Sequence, residues 1–327
     1  MKCIVNPLLA ILAITFPFFA LVLAGYLAAR RRMLPLEAIP GMNGFVLFFA
    51  LPCMLYRFGA STPLAQLLDG SAFFTYLLCG LAIVAGTVVF SRNARIGWND
   101  AAFGALVAAF PNTGFMGVPL LVALLGAQAA GPAIVAIVVD MVVTTSLCIA
   151  LSQLDHAGTH GMGHAARQAL RGVLRNPMPW AILLGGVASA TGFKLPGPVQ
   201  QTVGLLADAA SPVALFTIGA VLARSHMLAT RGHAAPLLRD YLPVAGTKLF
   251  VHPLLVWGVG TAAIRCGVPL QPLALQVLVL VAALPSASNV TLLAERFGAD
   301  NGRIARIILA TTAAAFLTFS AAVQWLV

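Results

Sequence analysis

Runs of roughly twenty apolar residues, parted by short polar clusters, recur along the whole chain. A helix needs about 20 apolar residues to cross the ~30 Å of a bilayer's hydrocarbon. By that measure the pattern predicts ten helices, over about 8–29, 38–58, 71–91, 101–125, 129–153, 177–193, 198–223, 240–264, 271–297 and 302–326. The runs are continuous, whereas the strands of a membrane β-barrel alternate over about ten residues. The fold class is therefore an all-α polytopic membrane protein, each segment satisfying its own backbone inside the lipid. Two of the ten helices carry an unexpected interruption. Ala108–Pro119 reads AAFPNTGFMGVP and Ala283–Asn289 reads ALPSASN. An interior proline costs a helix about 3 kcal/mol and a glycine about 1 kcal/mol, so something must offset the breaks.

Composition supports the membrane assignment. Hydrophobic residues make up 60% of the 327 and charged ones 9%, against roughly 25% charged in soluble domains. The formal net charge of +10 raises nucleic acid as a partner, but the positions of the charges exclude it. The loops after the odd-numbered helices hold 14 Lys and Arg, and the opposite side holds 4, namely Lys2, Arg57, Lys194 and Arg265. Lysine and arginine concentrate on the cytoplasmic side. The expectation is a multi-pass protein of a plasma (bacterial inner) membrane with both termini outside, its arginines meeting anionic lipid. The first apolar run is followed, not preceded, by its charge cluster Arg30-Arg31-Arg32, unlike a cleaved signal. The five cysteines are scattered and suggest packing, with no metal or cofactor site. His156, His160 and His164 stand four apart, but Gly158, Gly161 and Gly163 argue for a solvated linker.

The polar stretch 154–176 divides the chain into five helices over 1–153 and five over 177–327. An odd number per half gives the halves opposite orientations, which invites a search for an inverted repeat. Ala108-Ala109-Phe110-Pro111 matches Ala282-Ala283-Leu284-Pro285, and downstream Leu120-Leu121 and Gly126-Ala127 match Leu292-Leu293 and Gly298-Ala299. Pro52-Cys53-Met54-Leu55-Tyr56 in the second helix matches Pro212-Val213-Ala214-Leu215-Phe216 in the seventh. Each half thus carries a proline in its second helix and a proline-led polar break in its fourth.

Paired breaks in inverted repeats are a pattern of secondary transporters, and bare backbone at membrane depth is tolerated where it is buried in protein or lines a cavity. A helix restarting after each break offers unpaired N–H groups and a positive dipole end, which suit an anion. The predicted site therefore comprises Pro111, Asn112, Thr113 and Gly114 with Pro285, Ser286, Ser288 and Asn289. The ionisable residues best placed inside the predicted spans are Asp140, Asp208 and Lys248. Function is the default reading of such residues. Lys248 can meet a carboxylate or exchange a proton, and Asp140 and Asp208 are candidates for a coupling H⁺ or Na⁺. The alternative for each is a structural ion pair, Asp140 or Asp208 with Lys248. His252 beside Pro253 reads as a packed residue rather than a proton relay.

With these residues in view, the chain resembles the auxin efflux carrier family, which includes bacterial malonate and organic-acid permeases. The resemblance rests on Pro111 to Pro119, on Ser211 to Phe216 with Gly219, on Lys248-Leu249 with His252-Pro253, and on Ala283-Leu284-Pro285 with Asn289 and Phe297-Gly298. It implies ten helices in two inverted repeats, helices four and nine crossing at Pro111 and Pro285, a scaffold that often forms a homodimer, and transport of a small carboxylate. Asn289 stands four residues after its proline whereas Asn112 is adjacent, so the halves of the site are not strictly symmetric. The expected function is a secondary active transporter of a small organic anion working by alternating access. A proton is favoured over Na⁺ because the crossover lacks a carboxylate. Competing readings are a sodium-coupled symporter of the bile-acid type, and a channel or sensor on a transporter fold. An enzyme is disfavoured: no nucleophile–base set, flanked carboxylate pair or HExxH motif is present.

Overall fold

The computed structural model describes residues 7–93, 95–154, 174, 176–229 and 237–326. The histidine repeat and most of the 154–176 linker lie outside the described residues. Within them the protein is helical, with no strand beyond a single isolated bridge. In chain order the helices are α1 (Pro7–Arg30), α2 (Ala38–Ser61), α3 (Gly70–Ser91), α4 (Trp98–Ala109), α5 (Thr113–Leu125), α6 (Ala127–Ser152), α7 (Pro177–Thr191), α8 (Gly197–Ala229), α9 (Leu238–Arg265), α10 (Pro272–Ala283), α11 (Val290–Arg296) and α12 (Asn301–Leu326). Among the described residues, seven helical segments are long and apolar enough to cross a membrane. The stretches 101–125 and 271–297, read from the sequence as helices interrupted at Pro111 and Pro285, are each two shorter ones: α4 with α5, and α10 with α11. At 1.5 Å per residue, α4 is roughly 18 Å long, too short to cross alone.

Local chemistry sets the helix ends. Asp69 caps α3 by accepting from the amide of Ala72 at 3.0 Å, and Asn176 caps α7 by accepting from Met178 at 3.0 Å. α7 stops at Gly192, whose φ of 68° is left-handed. Phenylalanines such as Phe48, Phe49, Phe74 and Phe90 stand exposed on the outer faces, as side chains directed at lipid would.

The helices pack in two neighbourhoods. α1 lies on α8, and α2 on both α7 and α8; α3, α4, α6, α9, α10 and α12 pack among themselves. α12 also meets α1 and α8, joining the two. Two crossings in the first neighbourhood bring backbones together without side chains between them. A Cβ on Gly25 of α1 would collide with the carbonyl of Phe216 in α8, and one on Gly219 with the carbonyl of Val22. In the second crossing, a Cβ on Gly185 of α7 would lie 2.7 Å from the carbonyl oxygen of Tyr56 in α2, and one on Gly59 would lie 3.3 Å from Gly185 Cα. Small residues permit such contact where lipid supplies no hydrophobic drive between helices. The four pairs Val22/Ile182, Gly25/Gly185, Tyr56/Phe216 and Gly59/Gly219 are each separated by 160 positions.

Candidate functional site

The breaks after α4 and α10 meet in the interior. Phe110 and Leu284 are extended, and Pro111 and Ser286 face each other as an antiparallel bridge. The amide of Asn112 donates to the carbonyl of Pro285 at 2.8 Å, and the amide of Ala287 donates to that of Phe110 at 3.0 Å. Two strand-like fragments thus pair where lipid offers no partner, which satisfies the requirement that interior backbone groups be bonded.

The accounting extends to the carbonyls one turn before each proline. In an unbroken helix Val107 would accept from residue 111, but Pro111 has no N–H. Ser286 supplies the missing donor, its Oγ reaching Val107 O at 2.7 Å. Ala282 would accept from the amide of Ser286, which instead donates to Thr311 Oγ1 at 3.3 Å. Lys248 Nζ takes that place, donating to Ala282 O at 2.5 Å. An ammonium at the carbonyl end of α10 also complements its dipole. Each break is therefore completed by groups from elsewhere, and the side chain of Ser286 is used in doing so.

Three side-chain oxygens are not used. Asn112 Oδ1, Thr113 Oγ1 and Asn289 Oδ1 are all buried and have no hydrogen-bond partner. Asn112 is 3% exposed and Thr113 0%, while Asn289 and Gly114 are half-buried. A buried polar group left unbonded costs about 1–3 kcal/mol, so these three are suited to a ligand. Each carboxamide has a donor and an acceptor end, and the threonine hydroxyl can do either. Beyond them, α5 opens with the amides of Gly114 and Phe115, which have no carbonyl one turn back within their own helix.

The intramembrane charges separate into two places. Asp140 and Lys248 are fully buried, on α6 and α9, each in a π-helical turn. Tyr76 Oη donates to Asp140 Oδ2 at 3.2 Å, and Thr144 Oγ1 to Oδ1 at 3.4 Å. Lys248 Nζ lies 3.3 Å from His252 Nδ1, and the rings of His252 and Tyr76 are 5.8 Å apart. A string of contacts thus runs from Thr144 through Asp140, Tyr76, His252 and Lys248 to Ala282, three residues before Pro285, with Tyr76 and His252 meeting only through their rings and His252 Nε2 unbonded. Asp208 stands apart: its Oδ1 pairs with Arg57 Nη1 at 2.6 Å on an exposed face of α8. Neither aspartate makes an ion pair with Lys248 among the described residues. Sequence reasoning overlooked Tyr76 and Thr311 and undervalued His252. A polar group in an apolar run marked each of them, but only the fold shows which ones meet.

An all-helical chain with membrane-length spans and an internal polar crossing has the construction of a membrane transporter. Comparison with known proteins agrees. Residues 10–323 match the family described as membrane transport protein, and the chain belongs to it. A Rhizobium meliloti (strain 1021) protein named "Putative malonate transporter" is 30% identical over 309 residues, covering 92% of this chain and 91% of its own. "Uncharacterized transporter YfdV" of Escherichia coli (strain K12) is 28% identical over 287 residues, with 86% of each chain covered. "Auxin efflux carrier component 8" of Arabidopsis thaliana is 21% identical over 327 residues, covering 84% of this chain and 86% of its own. The resemblance to auxin efflux carriers read from the motifs is therefore borne out, and the chain is a multi-pass membrane transporter of a small molecule, not an enzyme.

Proposed function

We propose that this transporter is a secondary carrier of a small organic anion, a malonate-like dicarboxylate, which binds at the paired breaks. The observation that carries the proposal is the set of buried, unbonded polar atoms of Asn112, Thr113 and Asn289 beside the paired breaks of two helices. The name of the Rhizobium meliloti relative supports the substrate class. In this reading α4 with α5 and α10 with α11 each make one span, giving ten spans in two inverted repeats. The constant 160-residue separation between the glycine crossings supports the repeat. Alternating access is a movement of the α3/α4/α6/α9/α10/α12 group, which carries the site, against the α1/α2/α7/α8 group. The arginine excess supports an orientation with the loops after the odd-numbered spans in the cytoplasm and both termini outside the inner membrane.

Proton coupling is the favoured drive. Asp140 accepts and releases the proton, and the string through Tyr76, His252 and Lys248 transmits its charge state to the carbonyl end of α10. A Na⁺-coupled symporter is the second reading, favoured by one observation: the unbonded oxygens of Asn112, Thr113 and Asn289 are the kind of ligand a hard cation takes. Uptake of radiolabelled malonate into proteoliposomes, under a pH gradient, a Na⁺ gradient or neither, tests both. Uptake driven by the pH gradient supports the first and uptake driven by Na⁺ the second. No uptake, and no competition by a panel of carboxylates, overturns the substrate class.

A further inference from the structure

A separate cavity of about 290 Å³ lies between the C-terminal half of α3 and the N-terminal half of α9, at the arginine-rich end of the molecule. It is near the lower limit of the ~300–1,000 Å³ typical of small-molecule sites. None of the crossover residues lines it. Its inner wall includes Arg303, which is 2% exposed, and its outer wall includes Phe90, which is 89% exposed.

The charge of Arg303 is unusual. Its Nε donates to the carbonyl of Asp240 at 2.7 Å and its Nη1 to the carbonyl of Asp100 at 2.8 Å, while Nη2 has no partner. Three carboxylates lie near enough to offset its charge, though none bonds to Nη2. Asp240 pairs with Arg95 at 3.3 Å, Asp100 accepts from the amide of Asp300 at 2.7 Å, and Asp300 accepts from the backbone amide of Arg303 at 3.0 Å. The charge of Arg303 is offset by these carboxylates, but Nη2 is a buried donor left unbonded, which carries a desolvation penalty. The same wall contains Thr87 Oγ1, also buried and unbonded, and the rim contains Arg239. Towards the outer faces of the helices the lining becomes apolar, with Phe90, Val251 and Leu255. The lining sets two arginines, Arg303 and Arg239, and the Thr87 hydroxyl against one carboxylate, Asp240, beneath a lipid-facing apolar mouth. This excess of donors suits a phosphate group, and basic pockets between transmembrane helices are a known form of headgroup site.

We infer that this cavity binds a phosphate-bearing anion, with Arg303, Arg239 and Thr87 as its recognition groups. The phosphate can belong to an anionic lipid whose chains lie over Phe90 and Val251, or can be free in solution. The test is the thermal unfolding midpoint of the purified full-length protein in detergent, titrated with phosphatidylglycerol, with phosphatidylcholine or with inorganic phosphate. Two variants accompany it: Gly86→Phe, where nothing lies within 4 Å of the added Cβ and the ring fills the cavity, and Thr87→Val. Neither residue belongs to the crossover. The expected result is a saturable rise with phosphatidylglycerol or with phosphate but not with phosphatidylcholine. Its half-saturation should move at least tenfold higher in a folded variant. A response to phosphatidylglycerol alone assigns the lipid source, and a response to inorganic phosphate assigns the free one. No rise with either, or an equal rise with phosphatidylcholine, overturns the inference. So does a half-saturation unchanged in Thr87→Val and in Gly86→Phe.

Discussion

Ser286 and Asn112 sit across the same bridge, yet they should respond in opposite ways to truncation. Ser286→Ala removes the hydroxyl that donates to Val107 O at 2.7 Å, and Pro111 provides no substitute. The carbonyl is left buried and unbonded, which costs about 1–3 kcal/mol, or roughly 5- to 150-fold in an unfolding equilibrium. Asn112→Ala removes an oxygen that has no partner, so stability should be unchanged or slightly higher. Its loss should appear in substrate binding instead. If the amide makes one hydrogen bond to a carboxylate, a charge-assisted bond of about 1.5–3 kcal/mol corresponds to roughly a 10- to 150-fold weaker Kd for malonate. Equilibrium unfolding in mixed micelles measures the first quantity, and calorimetric titration with malonate the second. Asn112→Ala unfolding as easily as Ser286→Ala, with malonate affinity intact, would refute the division of roles.

Asn289→Ala should mirror Asn112→Ala, with uptake lost and the protein folded, measured in proteoliposomes. Asp140→Asn should abolish uptake driven by a pH gradient while exchange of malonate down its own gradient persists; Tyr76→Phe, which removes the 3.2 Å bond to Asp140, should slow the driven uptake severalfold. Gly219→Ala should destabilise the protein by about 1–3 kcal/mol through overpacking against the Val22 carbonyl, whereas Gly44→Ala, with nothing within 4 Å, should be neutral by the same unfolding assay. Cys266, exposed beyond the end of α9, should react with a membrane-impermeant maleimide added to intact cells, as the proposed orientation requires; labelling only after lysis would invert that orientation.

The helices were legible because lipid imposes a length and a composition on anything that crosses it. The breaks were legible because proline and glycine are costly inside a helix. What the breaks do with their backbone groups was not legible. The chain does not reveal that Ser286 reaches Val107, 179 positions away, or that Lys248 bonds to Ala282. Both were read as candidates to touch substrate, yet the structure shows them completing the backbone. Asn112 and Thr113 differ from them, since their side-chain oxygens have no partner within the fold. Asp208 looked equivalent to Asp140, since both are aspartates in apolar runs. Only packing distinguishes them, one deep against Tyr76 and the other at the exposed Arg57.

The glycine crossings also constrain how the protein is made. α1 fits α8, and α2 fits α7, so these earlier-made helices have their close partners in the second half of the chain. Until those partners are synthesised, the grooves at Gly25 and Gly59 present bare backbone to lipid or to other nascent helices. Assembly is then paced by translation of the second half, and contacts this distant in sequence are slow to form. Neither half can mature alone: expressed as separate polypeptides, each should be short-lived in the membrane, and co-expression should rescue both.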